Sequence, residues 1–231
     1  TYQYLKMFLK KGYVVKFLGD NFLHEEPYST TLQQMGIEVL YGDDYAAGIW
    51  DWLKTNGDQI NYAYLNRPHI AAKYVDYIKD YTKMKVIYYG HDLHFLRLGR
   101  EYELTGDIHI KREADYWKSV ELTMMHKAAV SYYPSYVEIN AIHAIDGSIH
   151  AKAITAYVYD TFLSNIQDDF AKREGLLFVG GFAHPPNADA VLWFAREIFP
   201  AIRKRIPGIR FYVVGSKVTE EIQALGQEEG I

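Results

Sequence analysis

Between residues 86 and 97 the chain reads VIYYGHDLHFLR, so two imidazoles, a carboxylate and a guanidinium (His91, Asp92, His94 and Arg97) crowd one short stretch. An imidazole donates or accepts a proton near neutral pH. A guanidinium grips a phosphate through parallel N–H bonds. The β-branched and aromatic run at 85–89 predicts a strand that stops at Gly90. In an open parallel sheet, ligands lie just beyond the carboxyl ends of the strands. His-Asp-x-His-x-x-Arg at such an end therefore sets hydrogen-bonding groups and a cation where a ligand would sit. Two other uses of the same residues stay open. His91, Asp92 and His94 have the chemistry of metal ligands, although no second His/Asp/Glu cluster supplies the rest of a coordination shell. Alternatively Asp92 caps a helix N-terminus and the histidines bond to backbone.

Arg67 follows a second predicted strand, 62–65, and is a phosphate-binding candidate together with Arg97; a surface ion pair is the alternative for each, and Arg100 competes with Arg97. A third stretch, FVGGFAHPPNADA at 178–190, runs a strand into Gly180-Gly181 and then a helix start. Glycines let backbone approach a phosphate, and a helix N-terminus favours its charge. The pair lacks the G-x-G-x-x-G dinucleotide spacing. His184 and Asn187 are further ligand candidates, with Asn187 equally suited to capping the helix. The basic run 203–205 complements a helix C-terminus.

These groups need a scaffold, and the chain alternates helix and strand throughout. Apolar residues at Tyr4, Leu5, Phe8 and Leu9 predict a first helix that stops at Gly12. Strands are expected at 13–18, 37–41, 62–65, 85–89, 129–133 and 151–156. Helices are expected at 31–35, 45–55, 68–81, 107–128 and 136–145. The alternation predicts an α/β fold with a parallel sheet and helices on both faces. A helix with no strand before it is an unusual beginning for such a domain, so a strand and loop ahead of Thr1 are expected. The polar stretch 158–174 breaks the rhythm and predicts a connection between domains 1–157 and 175–231. The second domain restarts with a strand at 176–179, a helix at 187–205, a strand at 210–214 and a helix at 218–227.

The composition is ordinary for a globular chain: 231 residues, 49% hydrophobic, 23% charged, net charge −4. No basic stripe favours nucleic acid. There is no cysteine, which excludes disulfides and thiolate metal sites and suits a reducing compartment. No apolar run reaches the roughly 20 residues that span a bilayer.

GHDLHFLR, and FVGGFAHPPNADAVLWFAREIFPAIRKRIPGIRFYVVGS from 178 onward, resemble the retaining glycosyltransferases of the GT-B fold, a family rich in bacterial cell-surface polysaccharide enzymes. The resemblance runs along nearly the whole chain. It implies two Rossmann-like domains facing across a cleft, the N-terminal one on the acceptor side and the C-terminal one holding the nucleotide-sugar donor. It implies transfer of a hexosyl or rhamnosyl unit from its nucleotide carrier to a glycan or lipid-linked acceptor. It implies no obligatory metal and no cofactor beyond the donor, and a cytoplasmic location, including the inner face of the membrane. By position, Gly180-Gly181 would lie near the donor diphosphate. His91 and Asp92 would be catalytic, with His94 and Arg97 on the same wall.

The family's glycine loop after a first strand, and its paired glutamates, have no counterpart here. The resemblance thus implies a second domain that continues past Ile231 and a chain inactive as it stands. An open second domain is expected to self-associate or to be disordered over 213–231. The alternatives are a non-catalytic sugar- or protein-binding domain of the same fold, and a metal-dependent hydrolase using His91, Asp92 and His94.

Overall fold

The computed structural model describes residues 1–162, 164 and 170–231. Two compact units divide the chain, Thr1–Phe162 and Leu163–Ile231. The division falls inside the stretch 158–174, of which residues 163 and 165–169 lie outside the described residues.

The first unit runs α1 (Tyr2–Lys10), β1 (Lys16–Leu18), α2 (Tyr28–Gln34), β2 (Glu38–Leu40), α3 (Asp43–Asn56), β3 (Tyr62–Asn66), α4 (Pro68–Tyr81), β4 (Lys85–Tyr89), α5 (His94–Thr105), α6 (Ile108–Lys127), β5 (Val130–Tyr133), α7 (Tyr136–Ile145) and β6 (Ala151–Ala153). Every strand pairing is parallel, as the alternation requires. The sheet is laid out in two separately bonded pieces, β1-β2 and β3-β4-β5-β6.

β1 is shorter than the expected 13–18, and the end of α1 explains why. Gly12 takes φ +84°, its N–H bonds to the Leu9 carbonyl, and the Tyr13 N–H turns back to the Phe8 carbonyl. That is the left-handed closure by which a helix satisfies its last carbonyls. It spends the Tyr13 donor on the helix and leaves Val14 93% exposed. α1 nevertheless covers both pieces. Leu5 joins Leu32, Ile37 and Val39 in one cluster, while Tyr4 lies on Tyr64 and Tyr89 with ring centroids 6.4 and 5.9 Å away.

β4 is the centre of the main core. Its partners in register are Tyr64 for Ile87, Asn66 for Tyr89 and Ser131 for Tyr88. Strand side chains alternate between faces, and here both faces are covered: Val86 and Tyr88 are buried on one, Tyr89 on the other. Pro68 opens α4, where its missing N–H is not needed. Trp50 of α3 packs on Tyr74 and Tyr77 of α4.

The second unit holds β7 (Leu176–Val179), α8 (Pro185–Trp193), a π turn (Phe194–Ile198), α9 (Phe199–Arg205), β8 (Phe211–Val214) and α10 (Glu220–Ala224). The single helix expected at 187–205 is interrupted by that wider turn. Pro200 has no N–H to give and its ring clashes with the carbonyl four residues back, and a π turn relieves such a clash. Leu176, Phe178, Phe211 and Val213 face the helices. Leu177, Val179, Tyr212 and Val214 are exposed on the other face, so among the described residues of this unit helices cover one face of the strand pair. The tail is structured, which corrects the expectation of disorder: Ile222 and Leu225 are buried and the Phe211 N–H donates to the Gly230 carbonyl. No helix among the described residues is long and apolar enough to cross a membrane.

Candidate functional site

The polar residues of the 86–97 stretch lie where β4 ends and α5 begins. Gly90 makes this junction possible. A Cβ there would stand 2.2 Å from Cε1 of Tyr133, a fully buried ring at the end of the neighbouring strand. The glycine is thus required by packing rather than by a ligand.

His91 is the first residue out of the strand, exposed but with its ring edge-on to Tyr89 at 5.0 Å. That partial desolvation, then the nearby Arg67 guanidinium, lower its pKa against the opposing pull of Asp92. A neutral imidazole beside a cation is the result.

Arg67 reaches this place from the end of β3. It sits between the strand and Pro68 with φ +64°, a conformation that costs a non-glycine residue of order 1–3 kcal/mol and tends to mark functional positions. It is exposed and makes no ion pair among the described residues. Arg97 differs: its Nε donates to Asp92 Oδ2 at 3.2 Å, the local ion pair that was the alternative for it. Asp92 Oδ1 is 3.9 Å from His94 Nδ1.

Asp92 does not cap α5. Leu93 occupies the N-cap position without a side-chain bond, and the free N–H groups go to a residue that the sequence reading passed over. Glu121, in the middle of α6, is 0% exposed. Its Oε1 accepts from the His94 N–H at 3.1 Å and lies 3.2 Å from His94 Nδ1, while Oε2 accepts from the Phe95 N–H at 3.2 Å. Burial raises the Glu121 carboxyl pKa, and the His94 and Phe95 N–H groups and the His94 ring pull against it. The signal was present in the sequence: Ala114, Trp117, Glu121, Met124 and Met125 recur at helical spacing, so a carboxylate stands on an apolar stripe.

Beneath this group the hydroxyls of Tyr88, Ser131 and Tyr133 are buried without a hydrogen-bond partner. The two phenol rings meet edge to face at 6.1 Å. Burial, reinforced by the nearby Glu121, keeps both phenols protonated far beyond neutral pH.

In the second unit, the tightest glycine is Gly215, which lies against the Gly180 backbone. A Cβ on Gly215 would stand 1.8 Å from the Gly180 carbonyl oxygen, and one on Gly180 would meet Phe178 and Asn187 at 2.9 and 3.0 Å. The end of β8 leaves no room for a side chain at Gly215. Asn187 neither caps α8 nor projects freely; its Nδ2 donates to the Gly181 carbonyl at 2.9 Å and holds the loop shut. His184 is the N-cap residue of α8, without a capping side-chain bond, and is exposed.

Arg67, His91, Asp92, His94 and Arg97 are therefore brought to one place, and Gly180, Gly181, His184 and Asn187 form a separate loop of the other unit. Two surface hollows lie elsewhere. One, of about 530 Å³, is walled by Trp50, Tyr77, Tyr81 and acidic residues of α4; the other, of about 310 Å³, by Phe182, Tyr212, Val213 and Ile222. Among the described residues no three His, Asp or Glu side chains converge as a metal would need. No family model, no curated protein and no solved structure matches this chain.

Proposed function

We propose that the chain belongs to a glycosyltransferase that moves a sugar from a nucleotide carrier to a glycan or lipid-linked acceptor. The proposal extends the family resemblance of the two motifs. The observation that carries it is the strained, unpaired Arg67 next to a His91 whose basicity it lowers. Both stand beyond parallel strands, where open α/β sheets bind ligands. The leaving group of sugar transfer is a nucleoside diphosphate, on whose oxygens negative charge grows. A fixed cation rewards that growth. Of Arg67 and Arg97, Arg67 is the one free to do so, since Arg97 is engaged by Asp92. His91 and Asp92 would face the reacting sugar, with Asp92 held in place by Arg97.

Calorimetry with a panel of nucleotide sugars tests this. A member of the panel is expected to bind, and Arg67→Ala to weaken it about tenfold or more, the scale of one lost charge-assisted bond. Binding that ignores Arg67, or no binding by any member, counts against the reading.

A further inference from the structure

His94 is the most constrained polar side chain of the site. Trp117 and Glu121 stand one turn apart on α6, and together they hold the ring from two directions. Trp117 packs on its face, with ring centroids 5.1 Å apart and planes 34° apart. Glu121 takes its Nδ1 edge at 3.2 Å, and Asp92 flanks the same nitrogen at 3.9 Å. Nε2 makes no hydrogen bond to any described residue and is not among the sealed, unpartnered atoms of the interior, so it is open to solvent.

The other partners of Glu121 decide which nitrogen carries the proton. Two backbone N–H groups, of His94 and Phe95, already donate to its carboxylate, and backbone N–H can only donate. Donors aimed at a carboxylate favour its acceptor form. With the carboxylate ionised, the ring nitrogen that faces it is the donor. The tautomer of a histidine is set by the bond its inner nitrogen makes.

We propose that Glu121 is the positioning residue of this site: it fixes neutral His94 as the Nδ1–H tautomer and presents Nε2 outward as a hydrogen-bond acceptor. Such a nitrogen takes a hydroxyl of a sugar and, while neutral, offers nothing to a phosphate oxygen. The work is thus divided, with Arg67 for the anion and His94 for a sugar hydroxyl. The hydroxyl half rests on the sugar-transfer reading; the tautomer half stands without it. A plain structural role for Glu121, anchoring the start of α5, would leave the tautomer free.

Nitrogen-15 spectra of the imidazoles of this chain, recorded with the rings neutral, separate these cases. The expected result is a protonated Nδ1 and a bare Nε2 in the wild type, shifting to a tautomer mixture in Glu121→Gln. A wild-type His94 carrying its proton on Nε2 overturns the proposal, whether or not that variant folds. So does a folded Glu121→Gln with an unchanged tautomer. His94→Asn keeps a donor near the Nδ1 position and removes Nε2. It is expected to keep the wild-type circular dichroism spectrum, to melt somewhat lower for want of the Trp117 contact, and to lose at least threefold in affinity for whichever nucleotide sugar of the panel binds. Unchanged affinity overturns the hydroxyl assignment. Absence of any sugar binding, with the tautomer as expected, removes the sugar-transfer reading and the hydroxyl assignment with it, leaving the positioning role of Glu121.

Discussion

The sheets of the two units are built from similar strands and treated differently. In the first unit β4 is covered on both faces, with Val86, Tyr88 and Tyr89 all buried. In the second unit the outward face of β7 and β8 leaves Leu177 66% and Val179 69% exposed. A strand buried on both sides can hold a rigid polar group at its end, because every neighbour of that end is itself fixed. This is why the densest polar cluster, His91 to Arg97, lies beyond β4. The loop after β7 is fixed by backbone crowding instead, Gly215 against Gly180, and its polar side chains are either spent on the loop or left in solvent.

Substitutions can break this contrast, and the largest effect belongs to Gly90. Gly90→Ala drives a methyl group into the buried Tyr133 ring and is expected to cost about 3 kcal/mol, the upper range for overpacking, read as a drop in urea midpoint. Gly99, which has open space around it, is the control, and its alanine variant is expected to be as stable as the wild type or slightly more so.

Glu121→Gln comes next. Gln keeps one acceptor oxygen and turns an amide donor toward the Phe95 N–H or the His94 edge, at a cost of about 1–3 kcal/mol for the unsatisfied pair. Its pH dependence has a definite sign. Burial raises the folded-state pKa of Glu121, so the folded chain holds that proton more tightly than the unfolded one. The contribution is fully present below the ordinary carboxylate pKa and is lost as pH rises through the raised value. Chemical denaturation across this range should show a decline in the wild type that the Gln variant lacks.

The strand faces of the second unit give a paired test. Phe178→Ala removes a ring that faces the helices and is expected to cost about 3 kcal/mol for the vacated space, tempered by its partial exposure. Leu177→Thr, on the bare face one residue away, should stay within about 0.5 kcal/mol. Equal costs would mean that the bare face is covered in solution. Light scattering of Leu177→Lys checks the same point, since self-association through this face would fall with the added charge.

The smallest effect expected is at Asp20. Its burial works to raise the carboxyl pKa, but the Lys73 ammonium and Tyr74 hydroxyl, each at 2.7 Å, hold it below the ordinary range. The stabilisation this gives is present above the ordinary carboxylate pKa and is lost as pH falls through the depressed value. Asp20→Asn should therefore lose a small stabilisation at neutral pH and none in acid, seen in thermal melts at both.

Strand β4, helix α7 and strand β7 were legible in the sequence because local pattern and tertiary demand agree there: a β-branched run, a Ser135 cap whose hydroxyl accepts from the Val137 N–H, a run ending in glycines. What the sequence concealed was long-range. Nothing near Gly90 announces that Tyr133 will lie on it. Glu121 reads as one more charge in a polar helix until its place on the Trp117–Met124 stripe is noticed. Asp92 has the right chemistry for a cap, but the buried carboxylate from α6 reaches the N–H groups first and frees Asp92 to hold Arg97. The glycine pair at 180–181 fits a phosphate-loop pattern, but the backbone crowding there requires a glycine at 215.

The most direct test of the account is the proton titration of His91, followed by NMR with and without nucleotide sugars. The free chain should show His91 titrating below an ordinary histidine, because of its contact with Tyr89 and the Arg67 charge. A bound nucleoside diphosphate neutralises that charge, so the His91 pKa should rise on binding, and the rise should be absent in Arg67→Ala. A His91 titration that no nucleotide sugar moves would contradict the assignment of this strand end to sugar transfer.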